Sequence, residues 1–305
     1  MSDLPLRIAT APVNWNNDDI PGWRPSEGFP DLLDRMAEAG YQATEYDDKI
    51  GPEPSIVGSE ASRRGIELCG FYQWVDLLDR NVFQSQIPDI VRRLTQLGEL
   101  GCAHLIIADR LRTERDAIAG RVPRDGSASL SPGDYEALSE NASELARTAQ
   151  SFGFATHYHN HVGTFIETPE EVESLAAALH GSLVDFCFDT GHFAYGGGDA
   201  CRFIEQHLDS IGHLHLKDVD DETLKQAKLK GMTFRDALRN VVFAPLGQGN
   251  ARIADIVSTL ARARFEGWVV IEQDTCIGDP TANARANLDF VHRVLAKEAL
   301  HDRTN

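Results

Sequence analysis

Short apolar runs rich in Ile, Val, Leu and Phe alternate, from one end of the 305-residue chain to the other, with longer segments whose apolar residues recur at helical spacing. A chain patterned in this way builds βα units. The strand candidates are residues 7–13, 43–46, 67–72, 104–108, 155–159, 184–188, 211–216 and 268–272, eight in all. Helical stretches at 29–39, 87–101, 132–152, 169–180, 200–207, 254–265 and 282–299 separate them. The glycines of AEAGY, ELGCA, SFGFA and FEGWV each close a helix just before the next strand, where a left-handed residue ends it at little cost. Thr168, Pro169, Glu170 and Glu171 have the order of a helix start: cap, first-turn proline, then acids at the positive end of the dipole. Eight such units predict an α/β fold, a (β/α)8 TIM barrel in a single domain over 1–305, with a doubly wound sheet as the rival. The polar stretches 110–133 and 218–239 are long enough to cover the barrel mouth.

A barrel places its chemistry at the C-terminal ends of its strands. Here the last four runs exit into HYHNHVGTFIET, FCFDTGH, HLHLKD and VVIEQD, each delivering acidic or imidazole groups. One such group at one strand end is ordinarily a cap or an ion-pair partner. Four in succession point to a shared site, because buried charges are costly unless paired or bound to a metal. Glu167, Asp189, His215 and Glu272 offer three carboxylates and one imidazole, a hard set suited to Mn2+, Co2+ or Mg2+ and less naturally to Zn2+. Glu167 stands eight residues beyond His159 and must fold back to join; if it points away, His159 is the replacement ligand. His159 and His161 lie two apart and share a face in an extended chain, and Lys217 likewise shares the face of His215. These three are the candidates for proton transfer and enolate stabilisation, although a salt bridge from Lys217 to Glu272 or Asp189 is the structural alternative. Asn14, Trp15, Glu45, Trp74 and His192, also near strand exits, are candidates for gripping a polyol, although each alone is equally a turn former, cap or pocket wall.

The balance of charge narrows the partners. Asp and Glu number 47 against 29 Lys and Arg, a net charge of −18 with no basic run, which argues against nucleic acid and anionic membranes. The five cysteines contain no CxxC pair. Residues 1–6 lack the basic start and apolar stretch of a signal peptide, and no run of 18 apolar residues follows. The expectation is a cytoplasmic protein with a small-molecule polyol or keto-sugar substrate; a homo-oligomer is compatible with the sequence.

The motifs HYHNHVGTFIET, DTGHFAYGGGD, GHLHLKDVDDETLKQAK and FEGWVVIEQD, with TAPVNWNNDDIP near the start, resemble the xylose-isomerase-like TIM-barrel superfamily and, within it, the inosose dehydratases of inositol catabolism. The resemblance implies divalent-metal ligands on the sixth, seventh and eighth strands, at Asp189, His215 and Glu272. Many relatives carry a glutamate ligand where this chain has His159, and the HxHxGTxxE pattern of the dehydratase-like branch makes Glu167 the fourth ligand, leaving His159 or His161 for proton transfer. The residues APLGQG at 244–249 depart from the VPGDG of inosose dehydratases. The implied reaction is removal of the proton alpha to a ketone through a metal-stabilised enediolate, then loss of a β-hydroxyl from 2-keto-myo-inositol. Reprotonation instead would make the protein a keto-sugar isomerase or epimerase, and a non-catalytic sugar-binding barrel is the alternative from another class.

Overall fold

Each apolar run pairs in parallel with the next in chain order, and the eighth closes on the first: Arg7–Thr10, Ala43–Asp47, Glu67–Val75, His104–Asp109, Ala155–His159, Val184–Asp189, Ile211–Leu216 and Trp268–Ile271. This is the (β/α)8 barrel. The structure, a computed structural model, describes residues 6–47 and 51–302. Most of the stretch read for a leader, residues 1–5, lies outside them. Among the described residues no helix is long and apolar enough to cross a membrane.

Strands covered on both faces read as continuous apolar runs, and Leu105–Ala108 are accordingly all buried. The helices Phe29–Ala39 and Pro169–Leu179 show how local sequence sets their ends. The first turns Phe29, Leu32, Leu33 and Met36 inward and stops at Gly40, whose φ of 100° is left-handed. The second opens with a capping box, in which Thr168 accepts from the Glu171 N–H while the Glu171 carboxylate accepts from that of Thr168.

Some boundaries differ from the sequence expectation. The first strand ends at Thr10 rather than 13, because Pro12 has no N–H to give a ladder and instead opens a 3-10 turn, Pro12–Asn14. The helix expected at 87–101 begins at Arg80, where Asp79 accepts from the N–H groups of Asn81 and Val82. A further helix, Pro54–Arg63, joins the second and third strands.

The insertion after the seventh strand folds over the barrel mouth as Asp221–Lys230, Phe234–Arg239 and a ribbon of Asp218–Val219 paired with Phe243–Ala244. Phe234, Phe243, Leu224 and Tyr195 form a cluster of their own there. Asp218, buried at the ribbon, accepts from the N–H groups of Val219, Gly247, Gly249 and Ala251, which fixes the loop carrying the short glycine-rich run.

Register then decides which side chains meet. Asp189 pairs with His215, and His215 with Val270, so Glu272 stands one inward-facing position further along the eighth strand. Interior positions repeat every second residue. His213, His215 and Lys217 therefore stack along one inner wall.

Candidate metal centre and active site

His159, Asp189, His215 and Glu272 converge at the C-terminal rim, each offering one ligand atom, all within 4.8 Å of one another. His159 Nε2 lies 3.5 Å from Asp189 Oδ2. His215 Nδ1 is 3.9 Å from the same oxygen and 3.2 Å from Glu272 Oε2. The second Asp189 oxygen caps the helix Thr190–Tyr195 by accepting from the His192 N–H at 2.7 Å. Both ring nitrogens of His159, Nδ1 of His215 and Oδ2 of Asp189 are buried without a hydrogen bond. Buried polar atoms are almost always satisfied, so four orphans in one group mark a place built for something else. Two imidazoles and two carboxylates at these separations fit a divalent cation.

Lys217 completes the group. Its Nζ lies 2.7 Å from Asp274 Oδ1, 3.0 Å from Glu272 Oε2, 3.3 Å from Asp189 Oδ2 and 3.1 Å from His192 Nε2. Its stem fits only because Gly191 has no side chain; a Cβ there would meet Lys217 Cγ at 2.6 Å. Burial disfavours the charged ammonium, but Asp189, Asp274 and Glu272 outweigh it and raise the pKa well above the usual lysine value. Burial likewise pushes the Asp189 carboxyl up, and Lys217, His159 and His215 more than reverse it, so Asp189 is an anion. Asp274 goes the other way: burial, helped by Glu272, lifts it to about 7 against the pull of Lys217. Burial would keep the His215 ring neutral, yet Glu272 and Glu45 raise its pKa well above normal, so the pocket attracts positive charge at Nδ1.

His161 and His192 lie against each other with ring centres 3.8 Å apart and planes tilted by 37°, and burial drives both pKa values well below normal. His161 Nδ1 lies 2.7 Å from the Val162 carbonyl, so that nitrogen carries the hydrogen and Nε2 keeps its lone pair. His192 has the Val162 N–H 3.3 Å from Nδ1 and Lys217 Nζ 3.1 Å from Nε2, and a neutral ring accepts from one of these two donors. The cavity above these groups, about 50 Å³, has Tyr72, Trp74, His161 and Lys217 among its walls and opens to solvent.

Not every residue expected from sequence arrives here. Glu167 does not join the cation group: the His161 N–H bonds to the Ile166 carbonyl and tightens the loop, and Glu167 then accepts from the N–H groups of Gly120 and Gly163 beside Arg115. His159 holds the position instead. Asn14 is no polyol contact, since its amide donates to Thr10 Oγ1 and the Ile271 carbonyl and its oxygen accepts from the Gln273 N–H. Trp15 turns into the core and donates to Thr281 Oγ1. Both corrections follow from the 3-10 turn, which leaves Pro12 and Val13 on the wall of the mouth and turns Asn14 and Trp15 away from it. Trp74 and His192 do border the mouth. Glu45 borders it as well, but one of its oxygens is taken by His213 and His215 at 2.8 and 2.9 Å. Asp274 was not singled out from sequence; its two-residue spacing from Glu272 was the available signal.

Comparison with known proteins agrees with this architecture. The chain is 29% identical over 294 residues to the inosose dehydratase of Geobacillus kaustophilus strain HTA426, with 95% of each chain covered. It is 30% identical over 295 residues to the rhizopine catabolism protein MocC of Rhizobium meliloti, covering 96% of this chain and 90% of that one. Among solved structures, an L-ribulose 3-epimerase superposes with a TM-score of 0.71 at 12% identity, covering 98% and 97% of the two chains. The IolI protein with a bound zinc atom gives 0.71 at 13%, covering 96% and 99%. At such identities the solved structures speak for the fold alone. The sequence profile of the xylose isomerase-like TIM barrel matches residues 33–294, the stretch that holds all but the first strand and every residue of the cation group, and the chain belongs to that family.

Proposed function

We propose that the protein is a divalent-cation-dependent hydro-lyase that dehydrates a cyclic keto-polyol, with 2-keto-myo-inositol as substrate. The observation that carries this reading is the buried group of His159, Asp189, His215 and Glu272 with unsatisfied donor atoms, set beside Lys217 at the open mouth of the barrel. Full-length likeness to an inosose dehydratase supports the choice of substrate.

A divalent ion held by those four residues supplies Lewis-acid polarisation of a ketone oxygen and an adjacent hydroxyl. With two imidazoles in the set, the donors are softer than three carboxylates would be, which favours Mn2+, Co2+ or Zn2+ over Mg2+. The chain's own groups supply the rest. Lys217 Nζ places a fixed positive charge where negative charge develops on the substrate oxygen. His161, its Nδ1–H tied to Val162, offers the Nε2 lone pair to the proton alpha to the ketone. The β-hydroxyl then leaves as water with a proton returned from His161 or Asp274. Phe243 meets the His192 ring edge-on and Phe234 lies tilted against it, an apolar backing for that wall of the site.

The test is incubation of cation-loaded protein with 2-keto-myo-inositol in D2O, followed by NMR. The proposal expects a dehydrated dione and loss of the α C–H signal. A ketose or epimer carrying deuterium at the α carbon, with no elimination, would assign isomerase or epimerase chemistry to the same group. Binding without exchange would leave only a sugar-binding barrel.

A further inference from the structure

One layer below the cation group, where a barrel of this kind ordinarily packs branched apolar side chains, stand Glu45 and His213, both buried. Neither takes part in the chemistry proposed above. Glu45 Oε1 is 2.8 Å from His213 Nε2 and 2.9 Å from His215 Nε2. A carboxylate oxygen in contact with two imidazole nitrogens accepts from both, so each Nε2 carries a hydrogen. In a neutral ring that places the lone pair of His215 on Nδ1, the atom facing Glu272 and Asp189. Facing two carboxylates, Nδ1 is a place for positive charge: a proton where the ion is absent, the ion where it is bound.

We propose that Glu45 is a positioning residue for the cation: it holds His215 in the Nε2–H tautomer with Nδ1 aimed at the ion, and His213 holds Glu45 in turn. This rests on the reading of His159, Asp189, His215 and Glu272 as the cation site. Local structure is consistent with a built device. The pairing of the second and third strands shifts register between Thr44 and Glu45. Opposite the shift stands Gly70, where a Cβ would lie 2.6 Å from Ile106 Cδ1 and 3.5 Å from Glu45 Oε1. The tight approach there is to Ile106, and the Glu45 carboxylate lies at ordinary van der Waals distance from that position.

The experiment measures cation affinity and tautomer rather than turnover. Zn2+ binding by competition with a chelator is compared for the whole protein and for Glu45→Gln and His213→Phe, and the ring nitrogens of His215 are read by 15N NMR in the Zn2+-loaded unmodified protein. Outer partners of metal-bound histidines are worth about 10- to 100-fold in affinity. The proposal expects a loss in that range for Glu45→Gln, a smaller loss for His213→Phe, and a His215 hydrogen on Nε2. Unchanged affinity in Glu45→Gln, or a hydrogen on Nδ1 in the loaded protein, overturns it. The NMR arm decides the matter even if a variant fails to fold. Failure of the unmodified protein to bind Zn2+, Mn2+ or Co2+ at all would strike the cation site itself, and is thereby distinguished from a failure of Glu45.

Discussion

Lys217 and Glu167 are buried charges with opposite consequences. Lys217 touches Asp189, Glu272 and Asp274 and faces the mouth, so Lys217→Met removes the fixed positive charge it offers a developing oxyanion. The expected result is a fall in kcat of about 100- to 1000-fold with the fold retained by circular dichroism; an unchanged kcat would remove Lys217 from the chemistry. Glu167 is buried, and that burial lifts its carboxyl to about 7 despite the N–H groups of Gly163 and Gly120. Because its folded pKa exceeds the unfolded value, ionising it costs stability progressively as pH rises from about 4.5 to 7. Glu167→Gln removes that titration. Relative to the parent, the variant should gain stability between pH 5 and pH 8, seen in urea midpoints at both pH values, while its cation affinity stays within about twofold. A tenfold loss of affinity would return Glu167 to the ligand set. The motif pattern had made Glu167 a ligand. What decided otherwise was a loop closure between His161 and Ile166 and a tertiary meeting with Gly120, neither of which has a sequence periodicity to announce it.

Elements place these residues by two devices, register and close approach. The helix Thr190–Tyr195 begins on Asp189 and lies against the Lys217 stem at Gly191. Gly191→Ala forces a methyl into that contact and should cost about 1–3 kcal/mol in urea denaturation; a neutral result would mean that the strand and helix separate more easily than their packing implies. At the ribbon, Asp218→Ala leaves the N–H groups of Gly247, Gly249 and Ala251 without their acceptor. Of these only Ala251 is buried, water being able to reach Gly247 and Gly249, so at about 1–3 kcal/mol for a buried unsatisfied group the expected loss is about 1–3 kcal/mol, checked by the same titration. The strands and most helices were legible because burial on one or two faces writes a period into the sequence. Residues 110–133 read as a polar loop, and 218–239 as an insertion with only some helical character, because short helices such as Thr113–Asp116 and Phe234–Arg239 have no long amphipathic repeat to announce them. Asn14 and Trp15 misled for a related reason: Pro12 ends the strand three residues before the expected exit.

For the whole molecule, the barrel interior is unusually rich in imidazole, and that sets its response to acid. Burial holds His157, His161 and His192 well below the ordinary histidine value, and His104 down to about 4. These rings bind protons more readily unfolded than folded. Stability is therefore expected to fall as pH drops from about 6.5 towards 4, outweighing the opposite trend of Glu167 and Asp274. In chelator, the urea midpoint at pH 5 should lie below that at pH 7; an equal or higher midpoint would contradict the neutral rings. The barrel, its strand-end chemistry and three of the four cation-group residues were visible in sequence because register in a closed parallel sheet brings strand ends together whatever the loops do. The fourth, His159, stood in the sequence only as an alternative, because its choice depended on where a neighbouring loop turned. The central claim is that these four side chains share one divalent cation. Elemental analysis of the purified, dialysed protein beside Asp189→Asn and Glu272→Gln tests it most directly: the account predicts about one transition-metal ion per chain in the parent and little in either variant, and equal metal content in all three, or none in catalytically active parent protein, would contradict it.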